Sequence, residues 1–203
     1  MFAIVESGSI TSMPSGNKGI TIGDNQYPAA IFSLWTEAER NAIGVYTVEI
    51  DYTNKKDEEY YINTNITYSY DSSANKVKGV YGSATARAMA DSDAVDDEGN
   101  KLKDENGNQI INEGLKTIKK REIDVQCAGL LAPSDWMYIK AGEEGVSMDS
   151  GWKTWRASVR TKCNSMQTQI DNAADTAALE TLFTYTTTDG VTSRPLGEFP
   201  VKE

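Results

Sequence analysis

Histidine is missing from this chain of 203 residues. Without an imidazole, the chain cannot use Ser-His-Asp or Cys-His catalysis, histidine metal sites or the usual proton shuttle near neutral pH. Cysteine is scarce as well, since Cys127 and Cys163 stand far apart and form no C-x-x-C motif. Two cysteines exclude a disulfide-rich secreted scaffold, and we expect both to be small buried hydrophobic residues in a reducing compartment.

Positive charge and long apolar runs are also in short supply. The chain has 20 Lys and Arg against 30 Asp and Glu, a formal net charge of −10. A nucleic-acid-binding protein usually carries a basic stripe that neutralises phosphates, so we expect no nucleic-acid ligand. No stretch approaches the roughly 18 apolar residues of a membrane span, and residues 1–6 lack the basic segment of a signal peptide. We therefore expect a soluble protein, made in a cytoplasm and without a membrane partner.

The first part of the chain, residues 1–87, is predicted to be a small antiparallel β-rich domain. Its clearest strand is residues 60–70, where apolar or β-branched and polar residues alternate. One face of that strand would carry Tyr60, Ile62, Thr64, Ile66, Tyr68 and Tyr70. Residues 71–75 have turn composition and residues 76–81 return as a second strand, which predicts a hairpin.

Three further strands and one short helix complete the prediction for this part. The strands are expected at residues 2–6, 19–22 and 42–52. Thr36 and Glu39 have the spacing of a capping box, in which the Thr side chain and the Glu side chain satisfy free N–H groups at a helix start. The helix would plug one end of the sheet.

Residues 88–109 are strongly acidic and contain a near-repeat built around Gly-Asn turns. Asp91 and Asp93 have the spacing of the first and third ligands of a calcium loop. However, Val95 occupies the fifth ligand position and the distal Glu is missing. The pattern therefore favours a solvated linker with turns.

Residues 110–183 are predicted to be helical, as an antiparallel hairpin of two long helices plus a short one. Pro133 is expected to stop the first helix, and Asp149 or Ser150 to cap the second. The second helix has one apolar stripe expected to face the first, formed by Trp152, Trp155, Val159, Cys163, Met166 and Ile170. A short helix follows Asp175, and residues 184–203 are an extended tail. The fold class is therefore α+β, with one continuous domain as the alternative.

Charged residues near the two long helices offer two chemical interpretations. Asp135, Glu143 and Glu144 lie in the predicted connection between the helices and could form a carboxylate pair for acid–base catalysis, although nothing in the sequence shows that they converge. Arg156 and Arg160 stand one turn apart and could bind a phosphate or carboxylate, or bridge to the acidic segment. The pattern equally fits the solvated side of an amphipathic helix.

Aromatic residues offer two candidate surfaces for protein partners. Trp136, Trp152 and Trp155 could pack the helices together or serve as anchors of an interface, and the sequence leaves both open. Tyr60, Tyr68 and Tyr70 lie on a strand whose edge could accept a partner strand. We expect the sheet edge to suit a permanent contact and the indoles a transient one.

Several short sequence motifs in the chain resemble those of bacteriophage tail-fibre assembly (chaperone) proteins. Leu-Leu-Ala-Pro-Ser-Asp-Trp at residues 130–136 is followed by Trp-Arg-Ala-Ser-Val-Arg at residues 155–160. Further motifs similar to those of phage tail-associated proteins are Gln-Tyr-Pro at 26–28, Thr-Glu-Ala-Glu-Arg at 36–40 and Ile-Gly-Val at 43–45. The matches cover residues 113–182 and 20–50. The positions that match the helical pattern are Asp135, Trp136, Trp155, Arg156 and Arg160.

This resemblance implies a non-enzymatic phage tail protein that binds tail or fibre proteins without a cofactor, in an oligomeric assembly. The acidic segment and the long β-rich part depart from the family pattern and leave room for a permanent virion component in the tail, assembled in the bacterial cytoplasm. The alternatives are a transient tail-fibre chaperone and, third, an enzyme with a carboxylate site.

Overall fold

A computed structural model of the chain describes residues 1–202, which fold into two compact units. Unit 1 is Met1–Thr85, and unit 2 begins at Ala86. The large sheet lies in unit 1 and the long helices lie in unit 2. The presence of both element types confirms the mixed α+β class predicted from the sequence.

Unit 1 is built from short strands and two short helices. In chain order these elements are β1 (Phe2–Glu6), β2 (Ser9–Ser12), β3 (Ile20–Ile22), β4 (Asn25–Tyr27), α1 (Ile31–Leu34), α2 (Glu37–Ala42), β5 (Val45–Asp51), β6 (Tyr61–Ile62), β7 (Ile66–Asp71) and β8 (Lys76–Tyr81), with β9 (Thr85–Ala86) at the junction with unit 2. The capping box of α2 is confirmed, since the Glu39 N–H donates to Thr36 Oγ1 at 3.3 Å and the Thr36 N–H donates to Glu39 Oε2 at 2.8 Å.

Five strands of unit 1 form one sheet in the order β2-β1-β5-β8-β7. The predicted hairpin of β7 and β8 is confirmed, with Tyr70 opposite Val77. The expectation of a wholly antiparallel sheet is wrong, because β8 runs parallel to β5 with Val77 opposite Val48. Residues 52–75 make this possible, since a parallel pair requires a long connection.

Gly79, in the middle of β8, lies where three side chains converge. A Cβ atom at this position would lie 2.7 Å from Ile50 Cδ1, 2.8 Å from Tyr68 Cε1 and 2.9 Å from Ile66 Cγ2. Real Cβ atoms do not approach other atoms this closely, so only glycine fits without moving its neighbours. A larger residue at position 79 would therefore displace side chains of both neighbouring strands, β5 and β7.

Alternate residues of β1 and β5 supply two separate cores, because neighbouring side chains in a strand point to opposite faces. One core contains Ala3, Val5, Tyr46, Val48 and Val77. The other contains Ile4, Ile31, Phe32 and Val45, so that α1 covers the second face. The central strands are thus buried on both sides.

The strand predicted at residues 60–70 is broken in the middle. The Asn63 side chain hydrogen-bonds to the backbone of Lys56. Its Oδ1 accepts from the Lys56 N–H and its Nδ2 donates to the Lys56 carbonyl, each at 2.9 Å. These side-chain bonds replace ladder pairing, so β7 begins at Ile66. Tyr60 precedes the break and is buried, with 3% of its surface exposed.

Unit 2 contains four α-helices and two small two-stranded sheets within the described residues. In chain order they are β10 (Ser92–Asp93), β11 (Ile111–Asn112), α3 (Leu115–Leu131), α4 (Asp135–Glu143), α5 (Ser150–Asn172), α6 (Thr176–Phe183), β12 (Thr186–Thr188) and β13 (Val191–Ser193). A 3₁₀ turn, Ala132–Ser134, joins α3 to α4. The predicted cap of α5 is confirmed, since Asp149 accepts from the Trp152 N–H at 3.1 Å. Helix α6 is capped in the same way, because Asp175 accepts from the Ala178 N–H at 2.8 Å.

The acidic segment predicted as a linker belongs to a closed, three-cornered motif of residues 91–112. Ala94, Leu102 and Ile110 lie eight residues apart, and their backbone groups form a ring of three hydrogen bonds. The Ala94 N–H donates to the Ile110 carbonyl (2.8 Å), Ile110 to Leu102 (2.9 Å) and Leu102 to Ala94 (2.8 Å). The three hydrogen bonds pair the backbone N–H and carbonyl groups of these residues with one another, so the acidic segment has an ordered structure of its own.

Two corners of this motif are held by aspartate side chains. Asp96 Oδ1 accepts from the Asn100 N–H at 2.8 Å, and Asp104 Oδ1 accepts from the Asn108 N–H at 2.8 Å. Hydrogen bonds from these asparagines lower the pKa of both carboxyls below the usual range. The Gly-Asn near-repeat is therefore a pair of matching turns.

The seam between α3 and α5 is the main core of unit 2. Val159, Met166 and Ile170 of α5 are fully buried, and Ile123 of α3 is fully buried as well. Lys120 near the start of α3 reaches Asp171 near the end of α5 at 2.8 Å. Because Arg156 near the start of α5 reaches the Leu131 carbonyl at the end of α3, the two helices run in opposite directions.

Both cysteines are free and lie buried at this seam, as predicted for small hydrophobic residues. Burial raises the pKa of the Cys163 thiol to about 12, helped by a hydrogen bond with Cys127. A thiol with a pKa this high stays protonated at neutral pH, so it is a poor nucleophile.

The connection between α3 and α5 was expected to be a loop, but half of it is helix α4. Pro133 ends the regular hydrogen bonding of α3, as predicted. It lies in the 3₁₀ turn that leads directly into α4. A proline is tolerated at a helix start, because the N–H that it lacks has no partner there in any case.

Candidate protein-binding surface

Helix α4 exposes large apolar side chains on more than one face. The exposed fractions are 55% for Trp136, 43% for Tyr138, 64% for Ile139 and 58% for Val146, which follows the helix. We call these four residues the α4 surface. Single exposed apolar residues are common on proteins, but several large ones on one short helix, with an indole among them, are typical of an interaction site.

A groove of about 350 Å³ lies between α4 and the start of α5. Met148 is buried, with 8% of its surface exposed, and Trp136 and Trp152 lie among the groove-lining residues. The lining residues are Trp136, Met137, Lys140, Ala141, Glu144, Val146, Ser147, Met148, Asp149 and Trp152. The groove is thus largely apolar, with polar groups of both signs.

The charged groups of the groove already have partners within the chain. Lys140 pairs with Glu144 at 3.6 Å, and Asp149 caps α5. Exposed ion pairs of this kind contribute little binding energy, but they disfavour partners whose charges do not match theirs. The groove therefore combines an apolar surface with a rim that carries one Lys–Glu pair and one capping aspartate.

Arg156 positions α4 against the two long helices. Its guanidinium donates to the Leu131 carbonyl at 2.6 Å, to Ser134 Oγ at 2.5 Å and to Asp135 Oδ1 at 2.6 Å. It also lies 5.2 Å from the centre of the Tyr138 ring. Since only 6% of Arg156 is exposed, it acts as a structural clamp and is not available to bind an external anion.

Trp152 and Trp155 form a second aromatic group beside the groove. Their rings meet edge to face, with centroids 5.6 Å apart and planes at 89°. Both are half-buried, and the predicted apolar stripe reaches the α3 seam with its last four members. The indoles instead contact residues 200–202, where Trp155 Nε1 donates to the Pro200 carbonyl at 3.0 Å.

The carboxylates considered for acid–base catalysis are not brought together. Asp135 and Glu143 stand at opposite ends of α4, about 12 Å apart along the helix axis at 1.5 Å per residue. Asp135 is paired with Arg156, and Glu144 with Lys140. The geometry therefore provides no shared carboxylate site at these residues.

The remaining charged candidates are placed on surfaces or in turns. Arg160 is exposed on α5, one turn from the buried Arg156. Asp91 accepts from the Gly114 N–H at 2.7 Å and from the Thr117 hydroxyl at 3.0 Å, while Asp93 pairs with Lys101. The first and third positions of the calcium pattern are thus used in internal contacts.

The tyrosine candidates lie in unit 1 and are only partly accessible. Tyr60 is buried, and the hydroxyls of Tyr46 and Tyr70 are hydrogen-bonded to each other at 3.1 Å. This hydrogen bond, together with burial, raises the pKa of Tyr46 to about 12. Tyr68 is half-buried on β7, which lies at one edge of the sheet, and β2 at the other edge approaches β7. The sheet therefore curls towards closure, which restricts the edge available to a partner strand.

Sequence reasoning missed Tyr138, Ile139 and Val146. The signal was present in Trp136-Met-Tyr-Ile139, four consecutive large apolar residues in a segment interpreted as a loop. Such a run in a surface connection has no core to enter, and it could have been recognised as an exposed patch.

Comparison of the chain with protein families, curated proteins and solved structures found no match. In residues 1–202, no helix combines the length and apolar character needed to cross a membrane. Across the same residues, Cys, Asp and Glu form no group of three or more that could hold a metal ion.

Proposed function

We propose that this chain is a non-enzymatic bacteriophage tail protein, a structural or assembly component associated with the tail fibre, which binds another protein through the α4 surface. The observation that carries the binding mode is the exposure of Trp136, Tyr138, Ile139 and Val146, of which Trp136 and Val146 also line the groove beside α4. The assignment to a phage tail rests on the resemblance of residues 113–182 to tail-fibre assembly proteins. The proposed architecture is a β-rich N-terminal module and a C-terminal helical hairpin module in a virion tail.

The physical properties of the α4 surface favour a protein partner. Tryptophan and tyrosine dominate interface energetics, because each buries a large area and keeps a polar group for hydrogen bonding. The paired charges at the rim leave apolar contact as the main source of affinity. The net charge of −10 opposes acidic partners and favours correct pairing by repulsion of others.

The α4 surface is a better binding site than the edge of β7. Pairing with β7 would require access to an edge that β2 approaches, and Tyr60 is in the core. The α4 surface needs no rearrangement of the chain. Binding should therefore reside in unit 2.

The experiment compares capture of purified tail and fibre proteins by the whole chain and by two substitutions. Trp136→Ser should weaken binding by about 30-fold, since truncation of a central indole typically removes about 2 kcal/mol or more. The matched control is Val125→Ser on α3, which removes an apolar side chain that is 67% exposed outside the α4 surface. Equal loss in both variants, or none in either, would contradict the proposed surface.

A salt series tests the type of contact. An apolar interface should retain its affinity between low and high ionic strength, whereas an interface of exposed charges would weaken. Loss of capture in high salt alone would contradict the apolar mechanism.

The second candidate function is a transient tail-fibre chaperone, which the half-open, aromatic groove would also suit. Mass spectrometry of purified mature particles separates the two. A stoichiometric amount of the chain supports a structural component, and its absence from particles supports a chaperone. Capture of no tail or fibre protein by the whole chain would contradict both.

A further inference from the structure

Residues 196–202 run along α5 and cover its two indoles. The Trp155 indole N–H donates to the Pro200 carbonyl at 3.0 Å, and the Lys202 ammonium lies 5.3 Å from the centre of the Trp152 ring. Lys162 donates to the Leu196 carbonyl at 2.8 Å. The segment therefore makes specific polar contacts along the helix.

The contacts divide this segment into an anchored part and a looser part. Leu196 is fully buried, and its N–H donates to the Leu182 carbonyl at 3.1 Å. Glu198 is held by the Tyr185 hydroxyl at 2.7 Å and by Arg194 at 2.9 Å. Residues 199–202 form neither helix nor strand, and Val201 is 85% exposed. We call residues 199–202 the strap.

Gly197 lies between the buried Leu196 and the strap, with a φ of 75°. In this left-handed region glycine is the favoured residue, and a Cβ atom would lie 2.5 Å from Lys162 Nζ. The turn directs the chain onto the indoles while Leu196 remains in the core. The strap can thus leave α5 without removing the anchor.

The indole face beneath the strap is continuous with the groove beside α4. Trp152 lines the groove, and it also carries the Lys202 contact. A second depression is lined by Ser150, Gly151, Thr154, Trp155, Val201 and Lys202. Departure of the strap would therefore lengthen the groove along the first turns of α5.

We propose that the indole face of α5 is a binding site for an extended partner segment of the type aromatic–Pro–aliphatic–basic, and that the strap occupies it until the partner displaces it. This inference deepens the proposed function and rests on it for the identity of the partner. The chemistry is that of the strap itself, Phe199-Pro-Val-Lys202. Proline brings no N–H that the indoles would leave unsatisfied, its carbonyl accepts from Trp155, and a cation faces Trp152.

The strap competes strongly because it is attached to the site. A tethered segment acts at an effective concentration in the millimolar range for a short linker. A free segment of the same sequence must overcome this local concentration. We therefore expect free peptide to bind the whole chain at least about 10-fold more weakly than a chain that lacks the strap.

The experiment uses a shortened chain, residues 1–198, and a synthetic peptide with the sequence of residues 197–202. Binding is followed by the indole N–H signals in ¹⁵N–¹H spectra and by calorimetry. The peptide should shift the Trp155 indole signal of the shortened chain back towards its position in the whole chain. Trp155→Phe in the shortened chain should weaken peptide binding about 5-fold, the loss of one hydrogen bond. A peptide with Lys202→Glu should also bind more weakly.

A second variant keeps the test valid if the shortened chain does not fold. The whole chain with Phe199→Gly and Lys202→Glu keeps the contacts of Leu196 and Glu198. These two substitutions weaken only the contacts of the strap with α5. It should bind the peptide more tightly than the unmodified chain does. No binding to the folded shortened chain, or equal binding to shortened and whole chains, would overturn the proposal.

These outcomes are separable from those of the proposed function. The peptide assay contains no tail or fibre protein, so its failure leaves capture through Trp136 untouched. Conversely, peptide binding by the shortened chain together with failed capture of every tail protein would retain the α5 site and remove the proposed partner class.

Discussion

Replacement of Arg156 by methionine tests the role of the clamp between α3, α4 and α5. The substitution removes donors to the Leu131 carbonyl, Ser134 Oγ and Asp135 Oδ1. Methionine fills most of the same volume, so the effect of a cavity is small. The measured change in the free energy of unfolding should therefore report mainly on the lost hydrogen bonds.

The three bonds do not contribute equally. Hydrogen bonds from a charged donor contribute roughly 1.5–3 kcal/mol each when buried. The Asp135 side chain is 60% exposed, so its pair with Arg156 is discounted to about 1 kcal/mol or less. The Leu131 carbonyl keeps a second donor, the Ser134 hydroxyl at 2.9 Å, which reduces the penalty for that acceptor. The expected destabilisation is about 2–3 kcal/mol.

Urea unfolding monitored by circular dichroism at 222 nm measures this effect, because the long helices lie in unit 2. With a slope of about 2 kcal/mol per molar urea, the midpoint should fall by about 1–1.5 M. Arg160→Met is the matched control, since Arg160 is exposed one turn away and its loss should change stability by about 0.5 kcal/mol or less. Asp135→Asn should cost about 1 kcal/mol at most. Equal midpoints for Arg156→Met and Arg160→Met would refute the clamp.

Three further predictions concern the core of each unit. Val159→Asp places an unpaired charge in the fully buried α3–α5 seam, so it should cost several kcal/mol, about 3 or more, and abolish the helical signal at 222 nm; a stable helical protein would contradict the assignment of this stripe to the core. Gly79→Ala should lower the unfolding free energy by about 1–3 kcal/mol because its Cβ meets three side chains, whereas Gly129→Ala in α3, with open space around it, should be neutral or stabilising in the same denaturation assay. Tyr46 should titrate near its raised pKa of about 12 in ultraviolet absorbance, and Tyr70→Phe should lower that value. Since the folded pKa lies above the ordinary value of 10.0, the stability from this pair is complete below pH 10 and is lost as the pH rises towards 12; a melting temperature with equal pH dependence in Tyr70→Phe would contradict the coupling.

Short-range patterns predicted the elements whose stability comes from neighbouring residues. The capping box at Thr36, the aspartate cap of α5 and the apolar spacing of Val159 to Ile170 each act within a few turns of one helix. The turn before β8 belongs to the same class, because its residues hydrogen-bond to their own backbone. Such interactions can be inferred from spacing alone.

The candidate surface was predicted only in part, because exposure depends on what packs nearby. Trp136 and Arg156 occur in the same sequence pattern, yet Trp136 is 55% exposed and Arg156 is 6% exposed. Nothing in their spacing distinguishes them. The difference arises where α4 folds back across the end of α3 and brings Ser134 and Asp135 to the guanidinium.

The sequence by itself determined the acidic balance, the absence of imidazole chemistry, the two long helices and the β7–β8 hairpin. The tertiary structure decided the parallel pairing of β5 with β8, the ring of Ala94, Leu102 and Ile110, and the strap over Trp152 and Trp155. The physical reason is the separation of the partners along the chain. Backbone N–H and carbonyl groups are the same in every residue except proline, so the local sequence does not specify their distant partners. Long-range pairing instead depends on which apolar faces are buried together, and this is settled only when the whole unit folds.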